Sequence, residues 1–243
     1  MGNLEIFPLA GEEELSPETD LTGWITDRYS PRDGDILVVS SKAASKIEGH
    51  MVRGEDVVPS AFAHVLAERI HRDPVYCEIV LRESQDIVRM ADGVVLCRTH
   101  HGFVLANAGV DASNCPDGSF AILPPEPDAS AARLRASVFA RTGKTVAVIL
   151  SDTFGRAWRI GQTDAAIGVA GMCPLRSYSG TTDHQGRTLH WTYMADADEL
   201  AAAAELVRGK DGRVPVVVIR GYEAVGSGGI SDLLMPPERD LFR

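Results

Sequence analysis

Runs of uninterrupted apolar residues and longer stretches with a helical stripe follow one another along the chain. "LEIFPLA" (4–10) is short and alternating, which predicts a first strand. "RDGDILVVSSKAASKIEGH" (32–50) predicts a turn at "DGD", a buried strand at "ILVVS", and "SKAASK" at the carboxyl end of that strand. "TVAVILSDT" (145–153) and "VPVVVIRGY" (214–222) predict two more buried strands. Between 75 and 114 several short β-like runs succeed each other; "GVVLCRT" and "FVLANAGV" flank "HHG" and predict two strands across a tight turn. "TLHWTYMA" (188–195), after a turn at "TDHQGR", alternates like a strand.

Four stretches predict helices. "SPETDLTGWITDRY" (16–29) has Ser16 as cap with Pro17 and Glu18 in the first turn. "SAFAHVLAERIHRD" (60–73) puts Phe62, Val65, Leu66, Arg69 and Ile70 near helical spacing. "DASAARLRASVFARTGK" (128–144) takes Asp128 or Ser130 as cap and Gly143 as stop. "DADELAAAAELVRGK" (196–210) is acidic at its start and alanine-rich, with Arg208, Gly209 and Lys210 at its end. A Pro- and Gly-rich connection fills 115–130. Strands and helices mix without strict alternation, so the expected class is α+β, with mixed β-sheets and flanking helices.

Composition narrows the function. The 243 residues hold enough apolar material for a sizeable core. Lys and Arg number 24 against 34 Asp and Glu, a net charge of −10, which argues against nucleic-acid or membrane-surface binding. A phosphate ligand held by a few local cations stays compatible with that charge. Cys77, Cys97, Cys115 and Cys173 form no C-x-x-C pair, which argues against zinc and against a disulfide framework. No apolar run reaches membrane-span length, no basic signal region precedes an apolar one, and Ile6 breaks a myristoylation pattern; a cytoplasmic protein is expected.

Three stretches carry candidate chemistry. In "NAGVDASN", Asp111 and Asn114 stand three apart in a turn, able to hold a hard cation or simply to close an Asx-turn. In "SDTFGRAWRIGQTD" (151–164), Asp152 and Thr153 are expected just past a buried strand, where open sheets place ligand groups. A carboxylate beside a hydroxyl suits Mg²⁺ or Mn²⁺ carrying phosphate oxygens, and Arg156 and Arg159 are candidate catalytic cations for a phosphate or carboxylate. Asp164 completes a crowd of two acids, two arginines and two glycines in that segment. In "SSKAASK", Ser40, Ser41, Lys42 and Lys46 can bind phosphates, or can be a polar helix start with solvated lysines; the spacing is not that of a Walker A loop. His100 and His101 read as a turn between strands.

Taken in order, "DGDILVVSSKAASKIEG", "HGFVLANAGVDASN", "LSDTFGRAWRIGQTDAAIGVAG", "ADELAAAAELVRGK" and "VPVVVIRGY" resemble the coenzyme F420-0:L-glutamate ligase family, the GTP-dependent γ-glutamyl ligases of deazaflavin biosynthesis. The resemblance covers nearly the whole chain. It implies a standalone ligase domain over residues 1–243, open to division into two lobes, and an intertwined homodimer. It implies GTP, L-glutamate and coenzyme F420-0 as substrates, two divalent ions (Mn²⁺ or Mg²⁺), and stimulation by K⁺. The reaction implied is phosphorylation of a terminal carboxylate, followed by amide formation with the glutamate amine.

By position, Asp111, Asp152 and Thr153 match metal ligands in that family. Glu12, Glu13, Glu14, Leu15, Ser40, Ser41, Lys46 and Asn114 match nucleotide-contacting positions. The family usually reads Gly-Leu-Pro where this chain has Gly11-Glu12-Glu13. Some relatives carry a metal-site glutamine where this chain has Lys210, and a protonated lysine cannot ligate a metal, though it can touch phosphate. Two other readings compete: a nucleotide-dependent amide ligase with a different acceptor, and a non-catalytic nucleotide- or deazaflavin-binding protein.

Overall fold

The computed structural model describes residues 3–91, 93–113 and 115–241. In chain order the elements are β1 (Glu5–Leu9), α1 (Leu21–Arg28), β2 (Ile36–Ser40), α2 (Ser41–Glu48), β3 (Met51–Arg53), α3 (Ala61–Ile70), α4 (Pro74–Arg82), β4 (Ser84–Ala91), β5 (Val94–Thr99) and β6 (Val104–Ala106). They continue with β7 (Ser119–Ala121), α5 (Pro127–Thr142), β8 (Ala147–Arg156), β9 (Arg159–Ala170), β10 (Arg176–Ser177), β11 (Tyr193–Met194), α6 (Asp196–Arg208) and β12 (Val216–Arg220). The fold is α+β with mixed sheets and flanking helices, as the sequence predicts.

The three continuous apolar runs lie side by side in a five-stranded sheet ordered β1-β12-β2-β8-β9. Only β2 and β8 are parallel, with Ile36 opposite Ala147 and Ser40 opposite Ser151. Ile36 to Val39, Val148, Ile149 and Val216 to Ile219 are fully buried, which explains why these strands show no polar alternation. Both α5 and α6 pack on β9. Gly168 of β9 lets α5 approach, since a Cβ there would sit 2.5 Å from the Pro127 carbonyl carbon. A second apolar cluster gathers Leu66 and Ile70 of α3, Cys77, Ile79 and Val80 of α4, and Val95 and Cys97 of β5.

Several expectations are corrected. The first helix starts at Leu21 with the Asp20 carboxylate as cap, because Ser16 closes a separate turn through Thr19. Residues 74–82 are helical rather than β-like: Asp73 caps the Val75 and Tyr76 N–H groups and Pro74 opens the first turn, so local capping outweighs the β-branched content. Helix α5 begins at Pro127 without a side-chain cap, and Asp128 instead accepts from Val169 N at 2.7 Å. Within 188–195 only Tyr193–Met194 pairs as a strand. The buried stripe of α3 is Ala63, Leu66, Ala67 and Ile70, leaving Phe62 and Val65 exposed. Residues 99–103 do form the tight turn between β5 and β6, and Gly143 does end α5 in the left-handed region.

One buried ion pair binds α6 to the sheet. Arg208, 8% exposed, donates to Asp164 Oδ2 of β9 at 2.6 Å, to Ser151 Oγ of β8 at 2.8 Å and to Val38 O of β2 at 3.0 Å. Burial pulls the guanidinium down from its usual range, while the Asp164 charge pushes it back up. Removing one member strands the other charge in the interior. Arg208→Met should therefore cost about 3–5 kcal/mol of stability. The double variant Arg208→Met with Asp164→Leu should cost less than either single change, read as urea unfolding midpoints. Full additivity of the two losses would show that the pair is not acting as a unit.

Candidate functional site

The parallel pair β2 and β8 ends at Ser40 and Ser151, the part of an open sheet where ligand groups collect. Strand β2 stops there and turns into α2, whose first turn is capped by Ser40 Oγ accepting from Ala43 N at 3.3 Å. Three side chains of α2 then reach three distant segments. Ser41 Oγ donates to Asp152 Oδ1 at 2.6 Å. Lys42 Nζ lies 2.7 Å from Asp111 Oδ2 and also donates to Ser113 O and Oγ. Lys46, 9% exposed, pairs with Glu14. Adjacent residues of one helix thus hold the two acids, Asp111 and Asp152, that stand some forty positions apart in the chain. Lys42 and Lys46 are four apart, on one helix face, so their like charges crowd a place suited to an anion.

Asp111 arrives there through an unusual backbone. Asn107, Ala108 and Gly109 all have positive φ, at 52°, 53° and 73°. Left-handed geometry is costly for Ala108, and surrounding contacts enforce it: its side chain is buried and Asn107 Oδ1 accepts from Val95 N at 3.0 Å. Asp111 then exchanges backbone hydrogen bonds with Ala121, and its Oδ1 accepts from Ser113 N at 2.7 Å. The Asx-turn and the charge site are therefore the same object. Burial pushes the Asp111 carboxyl up, but Lys42 and the Ser113 N–H outweigh it and hold it below the usual carboxylate range.

Asp152 and Thr153 do not follow the strand; they lie within it, because β8 runs on to Arg156 while β2 has ended. The half-buried Asp152 has the Ser41 hydroxyl as its hydrogen-bond partner and, among the described residues, no cation at ion-pair distance. Burial pushes its carboxyl up to about 6; Ser41 opposes this, and the charges of Asp164 and Asp111 add to it. Thr153 Oγ1 donates to Asp164 Oδ1 at 2.8 Å and accepts from Lys210 Nζ at 2.7 Å.

The remaining candidates fall on either side of this cluster. The 12–15 segment adjoins it: Glu14 meets Lys46, Glu12 O accepts from Arg213 at 3.2 Å, and Leu15 packs on the main core, whereas Glu13 turns to Arg28 at 2.6 Å. Arg156 and Arg159 do not join the acids. They face each other at the tip of the β8–β9 ribbon, roughly 13 Å along the strand from Asp152, where Arg156 donates to Ile160 O at 2.8 Å. Asn114 lies outside the described residues. His100 and His101 occupy the β5–β6 turn; His101 is bound to Pro124 O at 2.9 Å, and burial pulls its ring down. Arg208 is not legible in the sequence as a site-building residue, since its place at the end of an alanine-rich helix gives no sign of its buried partners.

The donor set fits a hard cation. Asp111, Asp152 and Thr153 offer only oxygen, which suits Mg²⁺ or Mn²⁺ and not a soft metal. Among the described residues no group of three or more His, Cys, Asp or Glu side chains converges. A metal here would thus complete its shell with water and phosphate oxygens, the usual habit of Mg²⁺. Among the described residues no helix is long and apolar enough to cross a membrane.

Comparison with known proteins shows the family of the chain. A sequence profile for F420-0:gamma-glutamyl ligase matches residues 12–221. A coenzyme F420:L-glutamate ligase of Methanothermobacter thermautotrophicus is 45% identical over 87% of this chain and 85% of its own. Enzymes of the same name from Methanocaldococcus jannaschii and Methanopyrus kandleri are 42% and 38% identical, over 89% and 99% of this chain and 87% and 98% of theirs.

The raised Asp152 carboxyl predicts a pH signature. The folded state binds this proton more tightly than the unfolded chain, which titrates near 3.9, so the Asp152 contribution to stability falls as pH rises from about 4 to about 6 and stays lowered above. In chelator, Asp152→Asn should therefore be more stable than the parent at pH 8, on the order of 2 kcal/mol, with the gap closing toward pH 4. A gap that does not change with pH in urea melts would contradict the burial of an ionised Asp152.

Proposed function

Because the chain belongs to the F420-0:gamma-glutamyl ligase family, we propose that it joins L-glutamate to coenzyme F420-0 through an amide bond, with GTP as the activating nucleotide. The observation that carries this reading is the convergence on α2: Asp152 on Ser41, Asp111 on Lys42, and a second cation, Lys46, one turn on. Such a place takes a metal-bound polyphosphate with little covalent help from the protein, as phosphoryl transfer requires.

A carboxylate is a poor acceptor for an amine. In the proposed sequence, a carboxylate oxygen of F420-0 attacks the γ-phosphorus of GTP, the bond to the bridging oxygen breaks, and GDP leaves. The glutamate nitrogen then attacks the acyl carbon, the acyl C–O bond breaks, phosphate departs, and the amine loses a proton. A bound Mg²⁺ or Mn²⁺, held by the Asp111 and Asp152 carboxylates with the Thr153 hydroxyl to one side of them, would neutralise phosphate charge. The Lys46 ammonium would exchange the Glu14 carboxylate for a phosphate oxygen. The α2 N-terminus adds its dipole to the same end.

Arg156 and Arg159 stand too far along the ribbon to touch the transferred phosphoryl group of the same chain, so substrate carboxylates other than the one phosphorylated are their proposed ligands. The ribbon tip also bears Trp158, 87% exposed, and Ile160, fully exposed. Apolar side chains on a projecting two-stranded arm support the homodimer reading.

The test is purified protein with F420-0, L-glutamate, GTP and Mn²⁺, read by mass spectrometry for added glutamyl units. Asp152→Asn should lower turnover by at least ~10²–10³ with an unchanged fold, and Lys46→Ala should raise the KM for GTP at least about tenfold. GTP hydrolysis that needs glutamate but not F420-0 would point to another acceptor. GTP bound and never consumed would point to a binding protein.

A further inference from the structure

Thr153 offers the natural place for a second cation beside the Asp111–Asp152 pair, yet that place is already taken by a side chain. Lys210 Nζ donates to Thr153 Oγ1 at 2.7 Å, lies 3.0 Å from Glu205 Oε1 and reaches within 3.6 Å of Asp164 Oδ1. It stands two residues beyond the end of α6, where the terminal carbonyls favour a cation. Asp164 is further neutralised by Arg208 at 2.6 Å.

Charges around Thr153 therefore balance without a metal: Asp164 and Glu205 against Arg208 and Lys210. Across the cluster the balance differs. Asp111 has Lys42, while Asp152 has a hydroxyl and, among the described residues, no cation at ion-pair distance. Asp152 and Thr153 are successive residues of β8, so the Asp152 carboxylate leaves the opposite face of the strand from the Thr153 hydroxyl that Lys210 holds. A charged ammonium has three protons to donate and no lone pair to give, so it cannot share Thr153 with a metal as a co-ligand, and its charge repels one.

Building on the nucleotide reading above, we propose that the Lys210 ammonium stands in for a second divalent ion, so that each chain binds one divalent metal, at Asp111 and Asp152. From the Thr153 side Lys210 donates to the phosphates directly. The site thus departs from the two-ion arrangement that the family resemblance implies.

The experiment counts metal rather than turnover. Protein is dialysed to equilibrium against Mn²⁺ and a non-hydrolysable GTP analogue, with bound Mn²⁺ measured by mass spectrometry and by the loss of free-ion paramagnetic resonance. The expected result is one Mn²⁺ per chain for the parent and two for Lys210→Gln, which removes the charge and supplies an amide oxygen. Lys210→Met, which removes the charge without a ligand, should bind the analogue more weakly, at least tenfold, in chelator. Two Mn²⁺ in the parent, or one in Lys210→Gln, overturns the inference while leaving the ligase reading intact. No Mn²⁺ in the parent instead overturns the metal-nucleotide reading on which it rests.

Discussion

The contact between Arg208 and Asp164 holds the site in register. It is a full charge pair inside a sheet of valines and isoleucines, and its guanidinium reaches three strands at once. Buried pairs of this kind add little net stability over a well-packed apolar alternative, because desolvation offsets the attraction. What they do fix is arrangement. Here the pair locks the end of α6 against the point where β2 stops and β8 continues, so the residues after Ser40 and Ser151 are presented in a set relation. Among the described residues Arg208 Nε makes no hydrogen bond, so the guanidinium is held by its two terminal nitrogens.

From that fixed point α2 distributes the site. A helix that starts at the end of a parallel strand brings its N-terminal dipole and its first side chains to one place. Ser41, Lys42 and Lys46 are polar because each has a partner supplied by a different part of the chain: β8, the turn after the left-handed residues 107–109, and the 11–15 segment. The site is therefore a property of the tertiary fold and has no compact motif of its own.

That explains what the sequence made legible. Continuous apolar runs marked β2, β8 and β12, since a strand buried on both faces needs no polar positions. The crowding of acids and arginines in 151–164 marked β8 and β9, but hid that the segment is one long ribbon, in which Asp152 and Arg156 are held apart by the rise of the strand. The β-branched residues of 74–82 misled because a Pro at the first turn and an Asp cap decide a helix locally. Arg208 and Asp164 were invisible as a pair: a buried cation is identified only by its partner, and that partner lies 44 residues upstream.

The same contacts bear on how a chain with a net charge of −10 would hold the polyphosphate of the proposed reaction. Without ligand the site neutralises itself: Glu14 covers Lys46, Lys42 covers Asp111, and Lys210 covers Thr153 and Asp164. Binding then exchanges partners more than it creates them. In the proposed reaction a phosphate oxygen would replace the exposed carboxylate of Glu14, which would swing into water at little cost because most of that side chain is already there. Affinity is the difference between two such sets of contacts. It is weaker than a list of the final contacts would suggest, and it depends on how readily each resident side chain leaves. By that measure Glu14 leaves easily and Lys42, tied to three oxygens of the 111–113 turn, does not. The Asp111 loop is thus a fixed wall of the site, and the 11–15 segment is its yielding one.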